Sequence, residues 1–369
     1  MKNFILLILI FCGYYLSAQK VRRYNIESGL PDVSSLSLHT DKNGLLWIGT
    51  QAGLAVYNGI EFENIPCNND KIGTRGMIMH KIAPVSDGTM YLLDIGVKAG
   101  VFEEHLELYN PKTNKSKEIN LKKKGILIDA NAERWGSILV DYQDNLWLLS
   151  SKQQVVRYNN VTKDSVGFNI KNFIKDSITM QSYYGLVSDL AKNKIYFCYD
   201  KGLFCVSNKK KANKLIELKD EQISGVFGDE KGIWIFTLSG KIYWFDTATE
   251  KFTLKFTNIP GTDPNVICTV KKGNDLFIGG YSGITQLDLT TGGYKIITNN
   301  PLDKNSLSST LVSSLAFDSE NNLWAGTAQS GLNCVMFAKE RFLFHEILNE
   351  IGKPVEVYQG VQESKNSWT

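Results

Sequence analysis

Arg75, Arg134, Trp135, Tyr183 and Tyr184 are the residues of this chain best suited to holding a ligand. Flat aromatic faces stack on sugar rings, and a guanidinium fork takes a carboxylate or sulfate in bidentate fashion. Covalent chemistry is poorly provided for. The four histidines are His39, His80, His105 and His345. They form no His/Glu cluster at metal-ligand spacing, so no metal site and no cofactor is expected. His39 falls at a strand end, His80 inside an innermost strand, and His105 and His345 on outer segments. The arginines after the first 19 residues are Arg22, Arg23, Arg75, Arg134, Arg157 and Arg341. At most two of these reach a common mouth, too few for the three-arginine site of a sialidase.

Residues so far apart in sequence converge only if a repeat brings them together. A wedge aromatic recurs at Trp47, Tyr91, Trp147, Tyr196, Trp234, Phe277 and Trp324. The intervals are roughly 40–55 residues, the length of a four-stranded propeller blade. The motif is clearest at Asp41-Lys42-Asn43-Gly44-Leu45-Leu46-Trp47-Ile48-Gly49-Thr50 and returns at Asp318 to Thr327, with Trp324 and Gly326 in the same places. Leu36 and Leu38 alternate with Ser37 and His39, the period of a half-buried strand. Asp41 and Gly44 supply the turn, the aromatic wedges against the next blade, and Gly49 and Gly326 leave room for a neighbour. One unit cannot bury its own apolar face, so the repeats must stack. The fold expected is all-β: a seven-bladed β-propeller of four-stranded antiparallel blades. Its channel mouths would gather Arg75, Arg134, Trp135, Tyr183 and Tyr184 on three adjacent blades. Val21–Ile26 is expected to complete the seventh blade, leaving Phe342–His345 to whatever follows.

The combination of Gly29-Leu30-Pro31, Asp41–Thr50 and Gly53–Gly59 resembles the two-component regulator propeller repeat, and Asn305–Ser308 with Asp318–Thr327 repeats the match. The resemblance implies the sensor region of a bacterial hybrid two-component regulator. Such proteins carry two propellers and a β-sandwich outside an inner-membrane span, with a kinase and transcription output inside. The implied partners are an oligosaccharide or other small-molecule ligand, a second propeller and β-sandwich of the same parent chain, and a homodimer formed through a region beyond this one. No kinase motif is present, so this chain is expected to sense and not to catalyse. Two alternatives stand beside it: a secreted propeller lyase of the streptogramin-inactivating kind, whose repeats also carry a Gly-x-x-Trp turn, and a non-catalytic surface scaffold.

The ends and composition set the remaining expectations. Lys2, the apolar run Phe4–Leu16 and Ser17-Ala18-Gln19 read as an export leader over residues 1–19. The run is too short for a membrane span, which takes about 20 apolar residues, so no span is expected in the mature chain. The propeller is assigned to 20–348 and the start of a further repeat to 349–369, with the periplasm of a Gram-negative bacterium as destination. Lys plus Arg is 41 against 38 for Asp plus Glu. This near balance, with the lysine runs 122–124 and 209–211 in turns, gives no nucleic-acid stripe. Cys205 and Cys334 share the repeat position of Val56, which marks them as small core residues and not a disulfide.

Overall fold

The computed structural model describes residues 20–65, 78–98, 101–120, 138–150, 154–169, 183–189, 194–199, 202–206, 212–218, 220–229, 231–257, 259, 264–337, 362–364 and 367–368. Arg75, Arg134, Trp135, the leader, both lysine runs and Phe342–His345 lie outside them. The chain divides into two compact units, Met1–Met336 and Phe337–Thr369.

The first unit is a seven-bladed β-propeller. Blade 1 runs Ser35–Thr40, Leu46–Thr50, Gly53–Tyr57 and Phe62–Ile65, hydrogen-bonded in that order from the axis outward. Blade 2 opens with Ile78–Pro84, blade 3 with Ile138–Val140, blade 4 with Tyr183–Asp189, blade 5 with Ile223–Asp229 and blade 6 with Cys268–Lys272. Each has four antiparallel strands, and the first strands of successive blades lie against one another all round the ring. Blade 7 takes three strands, Val312–Phe317, Leu323–Thr327 and Leu332–Met336, from one end of the propeller and its outer strand, Lys20–Tyr24, from the other. Lys20 pairs with Met336 and Tyr24 with Leu332, so the expected closure of the seventh blade is borne out. Arg23 adds a clasp. Its guanidinium donates to the carbonyls of Ser306, Asp303 and Leu307 and to Ser306 Oγ at 2.8–3.2 Å.

The wedge aromatics hold the blades together. Trp47 packs with Leu92 and Tyr109 of blade 2, and Tyr91 with Leu146 and Val156 of blade 3. Trp147 meets Phe197 and Phe204 of blade 4, and Tyr196 meets Ile233 and Phe245 of blade 5. Trp234 packs with Leu276 and Ile278 of blade 6, Phe277 crosses edge-on to Phe317 of blade 7, and Trp324 packs with Leu46 and Ile48 of blade 1. Burying each ring contributes about 1.5–3 kcal/mol. Cys205 and Cys334 stand directly opposite Tyr196 and Trp324, as Val56 stands opposite Trp47. Both are buried thiols outside any disulfide.

The turn that precedes each wedge is built on one carboxylate. Asp41 Oδ1 accepts from the backbone N–H of Asn43 and Leu45, and Oδ2 accepts from Trp47 Nε1 at 3.0 Å. Asp141 does the same for Gln143, Asn145 and Trp147, and Asp318 for Glu320, Asn322 and Trp324. One turn position is left-handed in all three, occupied by Gly44, Asp144 and Asn321. Those residue types tolerate that backbone best. At Gly326 the limit is space, since a Cβ there would stand 2.3 Å from the Ser35 carbonyl oxygen of blade 1.

The second unit contains one described hairpin, Gln362–Ser364 with Ser367–Trp368. Among the described residues no helix is long and apolar enough to cross a membrane.

Blade 5 keeps the wedge and turns its carboxylate elsewhere. Asp229 holds the register that Asp41 holds in blade 1, but it pairs with Lys271 of blade 6, and Trp234 Nε1 is buried without a partner. Trp147→Phe is therefore expected to cost about 1.5–3 kcal/mol more than Trp234→Phe, the worth of a hydrogen bond to a buried charge. Urea unfolding of the two variants reads the difference directly. Equal losses would show that the Asp–Trp bond adds nothing to the wedge.

Candidate functional site

The innermost strands all begin at one face of the ring, and there the channel has its mouth. Of the five residues expected to bind a ligand, Tyr183 and Tyr184 open the innermost strand of blade 4; the other three lie outside the described residues. Tyr183 pairs with Tyr199, and the register slips before Gly185, which makes Tyr184 the extra residue of a β-bulge. The same slip recurs at Leu36, His80, Ser224 and Ser313. A bulge bends the strand that carries it, so five blades bend their first strand at the mouth by one device. Sequence alignment on the aromatics places these positions but not the bulge, because one inserted residue leaves the spacing unchanged within its natural scatter.

Just inside the mouth the first strands form a ring of equivalent positions. The residue after each bulge pairs with the residue two beyond the wedge aromatic: Ser37 with Gly49, Lys81 with Leu93, Gly185 with Cys198, Gly225 with Phe236 and Ser314 with Gly326. Cys268 holds the same place in blade 6, opposite Gly279. Neighbouring blades are stitched at this level. Ser37 Oγ accepts from Ile82 N at 3.2 Å, and Ser313 and Ser314 donate to the Ser35 carbonyl at 2.6 and 3.1 Å. Among the described residues every member of the ring is small except Lys81. Burial lowers the Lys81 pKa, opposed by the Cys268 thiol of blade 6 across the ring. Burial raises the Cys268 pKa to about 12.

On the blade 5 rim, Glu221 accepts from Ser239 Oγ and from Lys241 Nζ. Burial pushes its carboxyl up, and those hydrogen bonds outweigh it and leave the pKa below its ordinary value. Blade 2 departs from the others. Its second and third strands, Met90–Lys98 and Val101–Asn110, run nine and ten residues, against five or six for those of the other blades. The extra residues form a hairpin arm at the mouth face. At its base, Asp94 lies opposite His105. Asp94 is 0% exposed and His105 8%, and neither Asp94 oxygen nor His105 Nε2 has a hydrogen-bond partner. His105 is thus a buried residue of a third strand, a correction to its expected place on an outer segment. Among the described residues no group of three or more His, Cys, Asp or Glu side chains could hold a metal ion.

Residues 29–52 and 306–329 match the two-component regulator propeller family. Two segments of the chain, in blades 1 and 7, thus match that repeat. Both matched segments contain the Asp–Trp turn in its complete form, Asp41 with Trp47 and Asp318 with Trp324. A protein named histidine kinase P4 from Formosa agariphila is 25% identical over 188 residues, which are 46% of this chain and 14% of the kinase. The extracellular domain of the hybrid two-component system BT3049 from B. thetaiotaomicron superposes with a TM-score of 0.62 at 21% identity, over 87% of this chain and 42% of that one. That of the system BT4673 from the same organism gives 0.65 at 16% identity, over 88% and 41%. YCF48 from Cyanidioschyzon merolae gives 0.59 at 11% identity, over 86% and 98%. At such identities the structural likeness establishes the fold. The chain spans about a seventh of the curated relative and about two fifths of the two extracellular domains.

The repeat explains the orphaned carboxylate of Asp94. Three residues beyond the wedge, the repeat places Thr50, Thr237 and Thr327, whose hydroxyls close the following hairpin by donating to the carbonyls of Gly53, Lys241 and Gly331. Asp94 occupies that slot in blade 2. There the ladder continues into the arm and no turn exists to close, so the carboxylate has nothing to accept from. The signal was legible: an acid where its repeats hold a small hydroxyl. Burial, then Glu107, then Glu118 raise the Asp94 pKa to about 8, so the folded protein keeps a proton there that the unfolded chain gives up near pH 4. Between these values the folded state binds more protons than the unfolded one. Stability therefore falls as pH rises through this window, by up to about 1.4 kcal/mol per unit, and levels above pH 8. Asp94→Asn is expected to flatten that slope and to be the more stable protein at pH 9. Urea midpoints measured from pH 5 to 9 check this, and parallel curves for the two proteins would refute it.

Proposed function

We propose that this chain is a ligand-sensing propeller of a bacterial hybrid two-component regulator, exported to the periplasm and responsive to oligosaccharides. The observation that carries the reading is the pair of two-component regulator propeller repeats set into a closed seven-bladed ring. The likeness to a protein named as a histidine kinase and to extracellular domains of two-component systems supports it. On this reading residues 1–19 are a leader, residues 349–369 begin a further repeat, and a second propeller, a β-sandwich and a membrane-anchored output belong to the parent protein, which dimerises through that region. The propeller itself acts by binding and by rigid contact with its neighbours, and any phosphoryl transfer belongs to the output. The mouth, with Tyr183 and Tyr184 at the blade 4 bulge and Arg75, Arg134 and Trp135 on the preceding blades, is the proposed ligand face.

A second reading, a binding scaffold, is favoured by one observation. YCF48, a single propeller of nearly the same extent, has been solved with a bound D1 peptide, and one fold serves many functions.

Thermal-shift screening of the full chain against neutral and acidic oligosaccharides separates these readings from each other and from a lyase. The sensor reading expects a stabilising sugar, recovered chemically unchanged, with the gain lost in Arg134→Ala and Trp135→Ala variants that unfold at the wild-type midpoint. A cleaved product would instead establish the lyase. Peptide binding with no sugar response would establish the scaffold.

A further inference from the structure

At the level of the ring, Ser37, Cys268 and Ser314 turn their side chains to the next blade, Gly225 faces Val266, and among the described residues Lys81 alone is long, its ammonium near Cys268 of blade 6 across the ring. The Lys81 ammonium takes part in no ion pair and no hydrogen bond among the described residues. It is packed round by protein yet keeps partial contact with solvent. The nearby Cys268 thiol is neutral at physiological pH, and its Sγ is turned to the Val312 carbonyl at 3.8 Å, so it cannot serve as a counter-charge. A desolvated cation without a counter-charge is costly to a fold. It also focuses field lines within a low-dielectric channel and attracts anions.

The unpartnered hydroxyls of Ser224 and Ser35 are closed off within the blades, and Ser37 Oγ is turned to Ile82 N of blade 2, so no neighbouring side chain answers the charge of Lys81. A carboxylate or sulfate oxygen is the partner such an ammonium takes. A neutral sugar would leave it unpaired.

We infer that the propeller channel holds an anionic group on Lys81, a carboxylate or sulfate of the sensed ligand. This rests on the ligand-sensing reading and adds the charge of the ligand to it. Glycans bearing uronic acids or sulfate esters supply such a group. Lys81 and the mouth then read different parts of one molecule, its charge within the ring and its sugar faces above.

The test uses the full chain with glucuronate, inorganic sulfate and glucose as probes at constant ionic strength. Wild-type protein is expected to gain several degrees in Tm with glucuronate or sulfate and none with glucose. Lys81→Met should lose that gain, and Lys81→Arg should keep it. An equal gain in wild type and Lys81→Met would overturn the inference, since sulfate also stabilises proteins non-specifically by exclusion from their surface. If Lys81→Met fails to fold, reductively 13C-methylated wild-type protein supplies a second readout. The lysine resonance that titrates lowest should titrate higher with glucuronate present, and lysine titrations that stay unchanged would overturn the proposal. Binding of neutral oligosaccharides without any anion response would remove Lys81 and leave the sensor reading standing.

Discussion

One carboxylate decides the form of each well-made blade. In blades 1, 3 and 7 the aspartate of the first turn holds two backbone N–H groups with one oxygen and the wedge tryptophan with the other. The turn and the interface between blades are thus set by a single side chain. A turn that opened would release the ring from the next blade, and a ring that shifted would pull the turn apart. Blades 2, 4, 5 and 6 place Tyr91, Tyr196, Trp234 and Phe277 in the same wedge without that bond, and packing suffices there. Tyr91, Tyr196 and Phe277 carry no indole N–H to satisfy, whereas Trp234 leaves one unpaired, its ring tilted against Trp244 at 4.7 Å between centroids.

Most of this architecture is legible in the chain because a repeat shows its geometry many times over. The wedge positions, the four-strand blade, the turn at Asp41 and the outer strand borrowed from Val21–Ile26 all follow from aligning the copies. What stays hidden is what each blade does alone. The bulge at Leu36, His80, Tyr184, Ser224 and Ser313 changes pairing without changing sequence type. The exposure of a side chain such as His105 depends on how far its hairpin extends, and the added length of blade 2 turns an outer histidine into a buried one. The ligand face was read from residue types, and of its five residues only the strand positions of Tyr183 and Tyr184 fall within the described structure.

Blade 2 gathers the exceptions. Lys81 breaks a ring of small residues, Asp94 replaces a turn-closing hydroxyl, and the strands around Asp94 lengthen into an arm. Local choices that conflict with the fold tend to cluster where something other than folding is being selected. Two unpartnered ionisable groups on adjacent strands of one blade, Lys81 opposite Leu93 and Asp94 next along, fit that pattern better than drift spread evenly over seven blades.

The seam in blade 7 has a temporal consequence. Lys20 cannot find Met336 until the whole ring has been synthesised, and contacts of such sequence separation are slow to form because loop closure must precede them. A growing chain can therefore stack six blades and still present blade 1 with a raw flank. Until the last strand arrives the molecule is an open arc with apolar faces at both ends, exposed to mispairing. The Arg23 clasp on the loop at Asp303–Leu307 then acts as a latch, which gives the newly met ends a polar hold at the moment the arc becomes a circle.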